Sequence, residues 1–543
     1  MNRKERRQQA KQNRAGSPMQ ISEKTISMLE QALDHQSKRE VDQAIAIYRQ
    51  ILLIDPNNSF ANHLLGTILL HAGDAQSALN LFETAVKHDP SNQRIFNDLG
   101  LALDKLMRHK DAIWNYRQAL NLSPDFSDAL NNLGCALAKL GEETEPETCF
   151  RRVLELNPNN VESLNNLGNL QMFNGRYDEA ENNYRKAIDL APKNAEFHNN
   201  LGSALQFLER IDEAQYCFQN ALKIRPDYVE ALCKLANAQN SSGYANQAIE
   251  TFERARMLEP NNIGIRVNSA IILPIIPASV TEIDHYRARM LEELDATLIS
   301  NSMLSDPLKD AGVTGFYLAY HNKNDVEHTK KIADVYLKKC PSLAFKAQNL
   351  KNPQKGSSKY RVGFLSHHFY DHTIGKLYSG FIEHLDRELF EVILFNTSRK
   401  TDAMAIAIQN HADEVIHLRT NLESARQDVS NENLDLLFYP DIGMDSFTYF
   451  LAFSRLAPVQ ITSWGHPDST GIPNIDYFIS SRDLEVDTGD NHYSETLVRL
   501  KNPPTYYYRP EIPKGTKTPS AYGLPSDAHI YLCPQTLFKF HPS

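Results

Sequence analysis

The sequence predicts an α-helical solenoid of tandem repeats followed by an α/β domain with a parallel, doubly wound, Rossmann-like sheet. Two observations carry this prediction. A pattern of proline, glycine and alanine returns every 34 residues through the first half of the 543-residue chain. Beyond about residue 358, short apolar runs rich in Val, Ile, Phe and Tyr take its place, separated by amphipathic helical segments. That alternation is typical of buried parallel strands joined by helices.

The repeat is visible as four columns of similar residues. Small residues let two helices approach closely, and a proline near the end of the second helix stops it. Spacing and columns match the tetratricopeptide repeat, whose stacked hairpins form a solenoid with a concave surface. The columns are Pro56, Pro90, Pro124, Pro158, Pro192, Pro226 and Pro260; Leu65-Gly66, Leu99-Gly100, Leu133-Gly134, Leu167-Gly168 and Leu201-Gly202; Ala44, Ala78, Ala112, Ala180, Ala214 and Ala248; and Ala85, Ala119, Ala187, Ala221 and Ala255.

Asparagines precede several of the Leu-Gly pairs. Because asparagine is unfavourable within a helix, its repetition suggests a use. An amide both donates and accepts hydrogen bonds, which suits binding the backbone of an extended peptide. The alternative is that repeat duplication copied asparagine onto a solvated face. The candidate peptide-binding residues are Asn97, Asn131, Asn132, Asn165, Asn166, Asn199 and Asn200.

After the repeats, the chain is predicted to continue with helices that cap the solenoid, then a polar linker at 349–358, then strands. Apolar residues at helical spacing around Ile283–Leu294 and Ala333–Leu337 indicate the helices. The predicted strands are Tyr360–Leu365, Glu391–Asn396, Glu414–Leu418, Leu434–Tyr439, Val459–Trp464, Tyr477–Ser480, Thr496–Leu500 and His529–Cys533.

Polar loops that follow the strands are the candidate site, since doubly wound sheets bind ligands at the carboxyl ends of their strands. No dinucleotide-binding or P-loop glycine pattern is present. His367, His368 and His372 lie within six positions, but no acidic cluster with ligand spacing accompanies them. We therefore predict no metal. The loops are Ser366–Thr373, Pro440–Gly443, Trp464–Gly471 and Pro534–Lys539.

Composition narrows the class of protein further. The formal net charge of −10 argues against a dedicated nucleic-acid binder. The sequence contains no run of about 18 apolar residues, so we predict no transmembrane helix. The six cysteines include no pair with zinc-ligand spacing, so we expect reduced thiols in a cytoplasmic protein. The basic segment from Met1 to Ala15 is either a solvated disordered tail or a contact for anionic surfaces.

The motifs of the second half, taken together, resemble one known family. They are S-x-x-F-x-x-H at Ser366, Phe369 and His372; A-P-V-Q at Ala457 to Gln460; W-G-x-P-x-x-T-G at Trp464, Gly465, Pro467, Thr470 and Gly471; D-Y at Asp476 and Tyr477; Y-S-E at Tyr493 to Glu495; and F-K at Phe538 and Lys539. With the repeats, this series looks like the O-linked N-acetylglucosamine transferase family, glycosyltransferase family 41, and is closest to its bacterial SPINDLY-like members.

The resemblance implies a GT-B glycosyltransferase of two Rossmann-like lobes. It implies transfer of a sugar from a nucleotide sugar, usually UDP-N-acetylglucosamine, to Ser or Thr of a protein, with inversion and without metal or other cofactor. Lys539 matches the lysine that stabilises the departing diphosphate, a charge that some cation must balance. His372 matches a histidine near acceptor and sugar that is suited to act as a general base. The segment Gly465, His466, Pro467, Thr470 and Gly471, together with Gln535, is the candidate sugar and substrate site.

By this resemblance, most of the nucleotide-binding lobe is expected beyond Ser543. We expect either a piece of a longer enzyme or a truncated chain whose own activity is in doubt. The alternative function is a peptide-binding scaffold with a vestigial half glycosyltransferase domain. The predicted organisation is a basic tail at 1–22, seven repeats at 23–262, a helical connector at 263–357, the first lobe at 358–528 and the start of the second at 529–543.

Overall fold

A computed structural model describes residues 23–506 and 508, except residues 143, 349, 351–358, 399, 420 and 467. The chain divides into two compact units between Ile224 and Arg225. The predicted basic tail, the linker apart from Leu350, and the predicted strand at 529–533 lie outside the described residues. None of the described helices is both long enough and apolar enough to cross a membrane.

Seven helical hairpins correspond to the seven predicted repeats. Six lie in the first unit and the seventh, α13–α14, lies in the second. In every hairpin the second helix ends two residues before the proline of the 34-residue column, as predicted. The pairs are α1 (Glu23–Ser37) with α2 (Val41–Ile54), α3 (Ser59–His71) with α4 (Ala75–His88), α5 (Gln93–Lys105) with α6 (His109–Leu122), α7 (Ser127–Lys139) with α8 (Thr144–Leu156), α9 (Val161–Phe173) with α10 (Tyr177–Leu190), α11 (Ala195–Phe207) with α12 (Ile211–Ile224), and α13 (Val229–Ser241) with α14 (Ala245–Leu258).

A glycine against an aromatic ring fixes the spacing of the helices within five hairpins. A methyl group on Gly100 would lie 2.5 Å from the ring of Tyr116, and Gly66, Gly134, Gly168 and Gly202 meet a ring at 2.6–2.7 Å. These aromatic residues form a fifth column that the sequence interpretation missed, although it has the same period. Its members are fully buried: Tyr48, Phe82, Tyr116, Phe150, Tyr184, Phe218 and Phe252.

The connector is helical where the apolar spacing predicted helices. Its elements are α15 (Ile263–Ala270), α16 (Val280–Ile299), α17 (Pro307–Asp310), a 3₁₀ turn at Phe316–Tyr320, α18 (Val326–Lys339) and a 3₁₀ turn at Pro341–Ala344. Helix α16 packs along α18, with Ile283, Met290 and Leu294 buried.

Within the described residues, seven parallel strands form one sheet in the order β3-β2-β1-β4-β5-β6-β7. Each corresponds to a predicted strand. The elements are β1 (Tyr360–Ser366), α19 (Thr373–His384), β2 (Phe390–Asn396), α20 (Ala403–His411), β3 (Glu414–His417), α21 (Leu422–Asn431), β4 (Leu436–Tyr439), α22 (Ser446–Ala452), β5 (Val459–Ser463), β6 (Tyr477–Ser481), a 3₁₀ turn at Gly489–His492, and β7 (Thr496–Leu500).

The sheet order has a switch point between β1 and β4. The chain moves outward from β1 to β2 and β3, then returns to the other side of β1 and continues to β7. At such a point the loops that follow the two central strands diverge and leave a crevice, the usual ligand position of this sheet type. On one face, Leu377, Tyr378 and Ile382 of α19 pack with Phe364 and Phe438 of the central strands.

Replacing Gly100 by alanine tests the glycine–ring contact. The added methyl group would overlap the Tyr116 ring, so we expect the free energy of unfolding to fall by about 1–3 kcal/mol, the usual cost of overpacking a core. Denaturant unfolding followed by circular dichroism measures this. Lys110→Ala, at an exposed site on α6, is the matched control. Equal stability of G100A and the wild type would contradict the proposed tight contact.

Candidate functional site

The loops after β1 and β4 meet at the switch point of the sheet. Ser366, the last residue of β1, donates its hydroxyl hydrogen bond to Oδ2 of Asp441 at 2.8 Å. Asp441 is almost fully buried. Burial, with the nearby charge of Asp445, raises the pKa of the Asp441 carboxyl well above its usual range. The first and fourth strands are therefore connected at the crevice by a buried side-chain hydrogen bond.

The loop after β1 is folded tightly onto the start of α19. The amide of Tyr370 donates to the carbonyl of His368 at 2.8 Å, and that of His372 donates to the carbonyl of Tyr370 at 2.6 Å. A methyl group on Gly375 would lie 2.2 Å from the Tyr370 carbonyl oxygen. Only glycine allows this approach of loop to helix, so the position of the histidines follows from Gly375.

His372 caps the N-terminus of α19. Its backbone is extended and its Nδ1 accepts a hydrogen bond from the amide of Ile374 at 3.2 Å. Burial, followed by the positive charges of Lys400 and Lys376, lowers the pKa of His372. The imidazole is therefore neutral at physiological pH.

His368 lies directly against His372. The two rings are stacked with centroids 4.3 Å apart. The Nε2 atom of His368 lies 3.9 Å from Oδ2 of Asp441, and burial lowers the pKa of His368 to about 3. His367 is directed elsewhere, with Nδ1 at 3.0 Å from the Thr397 hydroxyl. The three histidines thus have three different environments.

Gly465 and His466 bring the loop after β5 to the same edge of the sheet. The amide of Gly465 donates to the carbonyl of Pro440 at 3.0 Å. The His466 ring is buried, with Nε2 3.4 Å from the Phe316 carbonyl and its ring beside Phe316. Burial lowers the pKa of His466 to about 4. His466 is therefore held neutral beneath the connector, and its role as a substrate contact stays a prediction.

Thr470 and Gly471 anchor this loop internally. The amide of Thr470 donates to Oε1 of Glu495 at 2.8 Å, its hydroxyl donates to the same oxygen, and the Ser469 hydroxyl donates to Oε2 at 2.8 Å. Gly471 has φ +69°, and a methyl group there would lie 2.3 Å from the backbone of Thr329. The T-G and Y-S-E motifs are thus two halves of one hydrogen-bonded unit; a sugar contact by Thr470 or Gly471 stays a prediction.

Three further candidate residues fall outside the described part of the chain. They are Pro467, Gln535 and Lys539.

The asparagines of the repeats form a hydrogen-bonded ladder. Three of them donate from Nδ2 to Oδ1 of an asparagine 35 residues earlier, in the preceding hairpin: Asn132 to Asn97 at 2.9 Å, Asn166 to Asn131 at 3.0 Å, and Asn200 to Asn165 at 2.9 Å. Asn97, Asn165 and Asn199 are buried, whereas Asn131, Asn132, Asn166 and Asn200 are partly exposed. The solvated-face alternative therefore does not describe the buried members, which lie among the helices.

The sequence interpretation missed a buried polar cluster that joins the loop after β5 to the connector helices. Arg287 of α16 forms an ion pair with Asp325, at the start of α18, and the Asp325 carboxyl hydrogen-bonds to that of Asp468. Burial raises the pKa of both carboxyl groups. No motif connects these three residues, which are distant in sequence, so only the fold brings them together.

Replacing Asp468 by asparagine should flatten the dependence of stability on pH. Because its folded pKa is raised, Asp468 binds a proton in the folded state over a pH range in which an unfolded aspartate, of pKa about 3.9, has lost it. Its contribution to the free energy of unfolding is therefore complete below the unfolded pKa. It is lost as the pH rises through the raised pKa of the folded state. Melting temperatures measured across the pH range test this, with exposed Asp487→Asn as control. A D468N slope identical to that of the wild type would count against the raised pKa.

Comparison with known proteins supports the repeats directly. The tetratricopeptide repeat family matches residues 35–99, 127–160, 149–182, 195–228 and 229–262, and a TPR repeat profile matches residues 173–206.

Named relatives are protein glycosyltransferases. The probable UDP-N-acetylglucosamine–peptide N-acetylglucosaminyltransferase SEC of Arabidopsis thaliana is 25% identical over 200 residues, covering 34% of this chain and 20% of the relative. The UDP-glucose:protein N-beta-glucosyltransferase of Actinobacillus pleuropneumoniae serotype 5b is 34% identical over 84 residues, covering 16% of this chain and 13% of the relative. These matches thus span a fifth or less of each relative's length.

Among solved structures, a mutant O-GlcNAc transferase of Thermobaculum terrenum aligns with 20% identity and a TM-score of 0.38, covering 70% of this chain and 58% of that chain. The sequence matches, together with the repeats, agree with the resemblance that the motifs indicated. The chain is thus similar to protein glycosyltransferases over the segments that these matches cover, and it carries N-terminal tetratricopeptide repeats.

Proposed function

We propose that this chain belongs to a protein O-glycosyltransferase. It would transfer a sugar, for which we propose N-acetylglucosamine, from a UDP-sugar to Ser or Thr of proteins recruited by its repeats. The similarity to two named protein glycosyltransferases carries this proposal. The reaction would invert the anomeric centre and need no metal. The parallel sheet and its switch-point crevice would form the first lobe of a GT-B architecture, with the acceptor near His372.

The repeats would supply the acceptor protein. Amide side chains repeated along the ladder can bind peptide backbone, which every acceptor presents whatever its sequence. Asn132, Asn166 and Asn200 are partly exposed, as is Asn131, and each of these three is fixed by a hydrogen bond that it donates to the preceding hairpin. A side chain fixed in advance loses little conformational freedom when a peptide binds.

Lys539 would stabilise the departing diphosphate. Cleavage of the sugar–phosphate bond leaves negative charge on the diphosphate, and in a metal-free site a positioned ammonium group is one way to balance it. This residue lies outside the described part of the chain, and its role follows from the F-K motif alone.

Mass spectrometry of acceptor peptides tests the activity. The purified full-length enzyme is incubated with a pooled library of serine- and threonine-containing peptides and with UDP-N-acetylglucosamine or UDP-glucose. A sugar mass on Ser or Thr is the expected product. The scaffold alternative predicts peptide binding without transfer, and calorimetry with UDP separates the two: micromolar UDP binding contradicts a vestigial site.

In the full-length enzyme, Lys539→Ala should abolish transfer without weakening peptide binding, because the lysine would act on the leaving group and not on the acceptor. Rates of sugar transfer and fluorescence anisotropy of a labelled acceptor peptide measure the two effects. Lys338→Ala, an exposed lysine of α18, is the matched control. Unchanged turnover in K539A would remove the lysine from the mechanism.

Asn166→Ala should weaken peptide binding about 5-fold, corresponding to the loss of one hydrogen bond of about 1 kcal/mol. The same anisotropy assay measures it. Asn183→Ala is the matched control, because Asn183 lies on α10 and donates to Gln171 within its own hairpin. Equal loss of affinity in both variants would indicate a general effect on folding and not a binding role for the ladder.

A further inference from the structure

The two ring nitrogens of His372 have different roles. Nδ1 accepts the amide hydrogen of Ile374 at 3.2 Å and so caps α19. A nitrogen that accepts a hydrogen bond holds no proton, and a neutral imidazole carries its one proton on the other nitrogen. The proton therefore lies on Nε2.

We infer that His372 meets its ligand as a hydrogen-bond donor through Nε2 and not as a general base, and that His368, whose ring stacks on that of His372, is the positioning residue that keeps the His372 ring in this orientation. The identity of the ligand rests on the proposed function, whereas the state of the ring does not.

The helix opposes any change in this state. Protonating Nδ1 would break the cap, and it would place a cation at the positive end of the α19 dipole. His372 is also the residue whose carbonyl accepts from the amide of Lys376 in the first turn. If His372 acted as a base through Nε2, its own proton would have to move to Nδ1, and the hydrogen bond from the Ile374 amide that caps the helix would be lost.

The surrounding charges act in the same direction. Lys400, from the segment after β2, and Lys376, from α19, are the two cations whose charge acts on His372, followed by its loop neighbour His367. Asp371 is paired with Lys376 at 2.7 Å. Asp441, beneath His368, has its carboxyl pKa raised by burial.

His368 is itself fixed by two hydrogen-bond contacts. Its amide donates to the Ser366 hydroxyl at 2.9 Å, and its Nδ1 lies 3.3 Å from the Tyr370 hydroxyl, whereas its Nε2 is 3.9 Å from Oδ2 of Asp441, beyond hydrogen-bond distance. Its ring covers one face of His372 at an interplanar angle of 24°. Because this face is covered, water is excluded from it and the His372 ring cannot turn freely.

The chemical consequence concerns the substrate. An Nε2–H group binds an oxygen that offers a lone pair, such as a sugar hydroxyl oxygen or a phosphate oxygen. It cannot take the proton of an attacking serine or threonine hydroxyl. In the proposed transfer the general base is therefore another group, which differs from the role that the family resemblance suggested for His372.

Nitrogen-15 NMR of the histidine rings tests the tautomer in the 543-residue chain without substrate. Long-range proton–nitrogen spectra separate the two neutral tautomers and the cation, and His372→Gln assigns the signal. We expect a single Nε2–H tautomer at neutral pH. An Nδ1–H tautomer or a cation would overturn the inference. Since no transfer is measured, this result stands whether or not the proposed function does.

Two variants of His368 test its positioning role with the same spectra. In His368→Gln the ring face of His372 is open to water, so we expect the pKa of His372 to rise towards its ordinary value and its tautomers to mix. His368→Phe restores a ring without nitrogen and should restore the wild-type signal. His367→Gln is the matched control, because His367 bonds to Thr397. Unchanged His372 signals in H368Q would refute the positioning role.

A transfer assay separates donor from base. His372→Asn and His372→Asp both keep an oxygen that can cap α19, but only asparagine can donate and only aspartate can act as a base. Higher residual transfer in H372N supports the donor role, and higher residual transfer in H372D contradicts it.

Discussion

Close contact between one small residue and one aromatic ring, repeated every 34 residues, is the constraint on which the helical part depends. Glycines such as Gly100 and Gly134 lie directly against a buried ring of the second helix of the same hairpin. That contact sets how closely two helices approach. Successive hairpins follow one another every 34 residues, and their stacking brings three pairs of asparagines 35 residues apart within hydrogen-bond distance. The ladder is therefore a consequence of core packing and needs no separate explanation for its regular spacing.

In the α/β domain the corresponding constraint is strand order. Placing β4 beside β1 joins the loops that follow them, and the Ser366–Asp441 hydrogen bond lies at that junction. Each of the histidines in the loops around this bond has a different neighbour. His372 caps a helix, His368 stacks on it, His367 turns to Thr397 and His466 is buried beside Phe316. Similar side chains thus acquire different hydrogen-bond partners because their surroundings differ.

Much of the fold could be predicted. The period and the prolines predicted every hairpin, and the apolar runs predicted the seven described strands, because both signals are local consequences of burial. The site was predictable only in outline. Rules for parallel sheets placed the loops after β1, β4 and β5 at one edge, but the motif residues Thr470 and Glu495 turned out to bond to each other. The Arg287, Asp325 and Asp468 cluster had no signal at all, since its members share no spacing.

The sequence by itself determined the helical period, the strand segments and the residue types available at the sheet edge. Only the tertiary structure decided how those side chains are used. Whether His372 accepts or donates depends on which nitrogen faces the Ile374 amide, and whether an asparagine is exposed depends on the neighbouring hairpin. Periodicity records which side of an element is buried, whereas hydrogen-bond direction and proton position depend on groups brought together from distant parts of the chain. For that reason the hydrogen-bonding roles of the site residues can be assigned only from the folded structure.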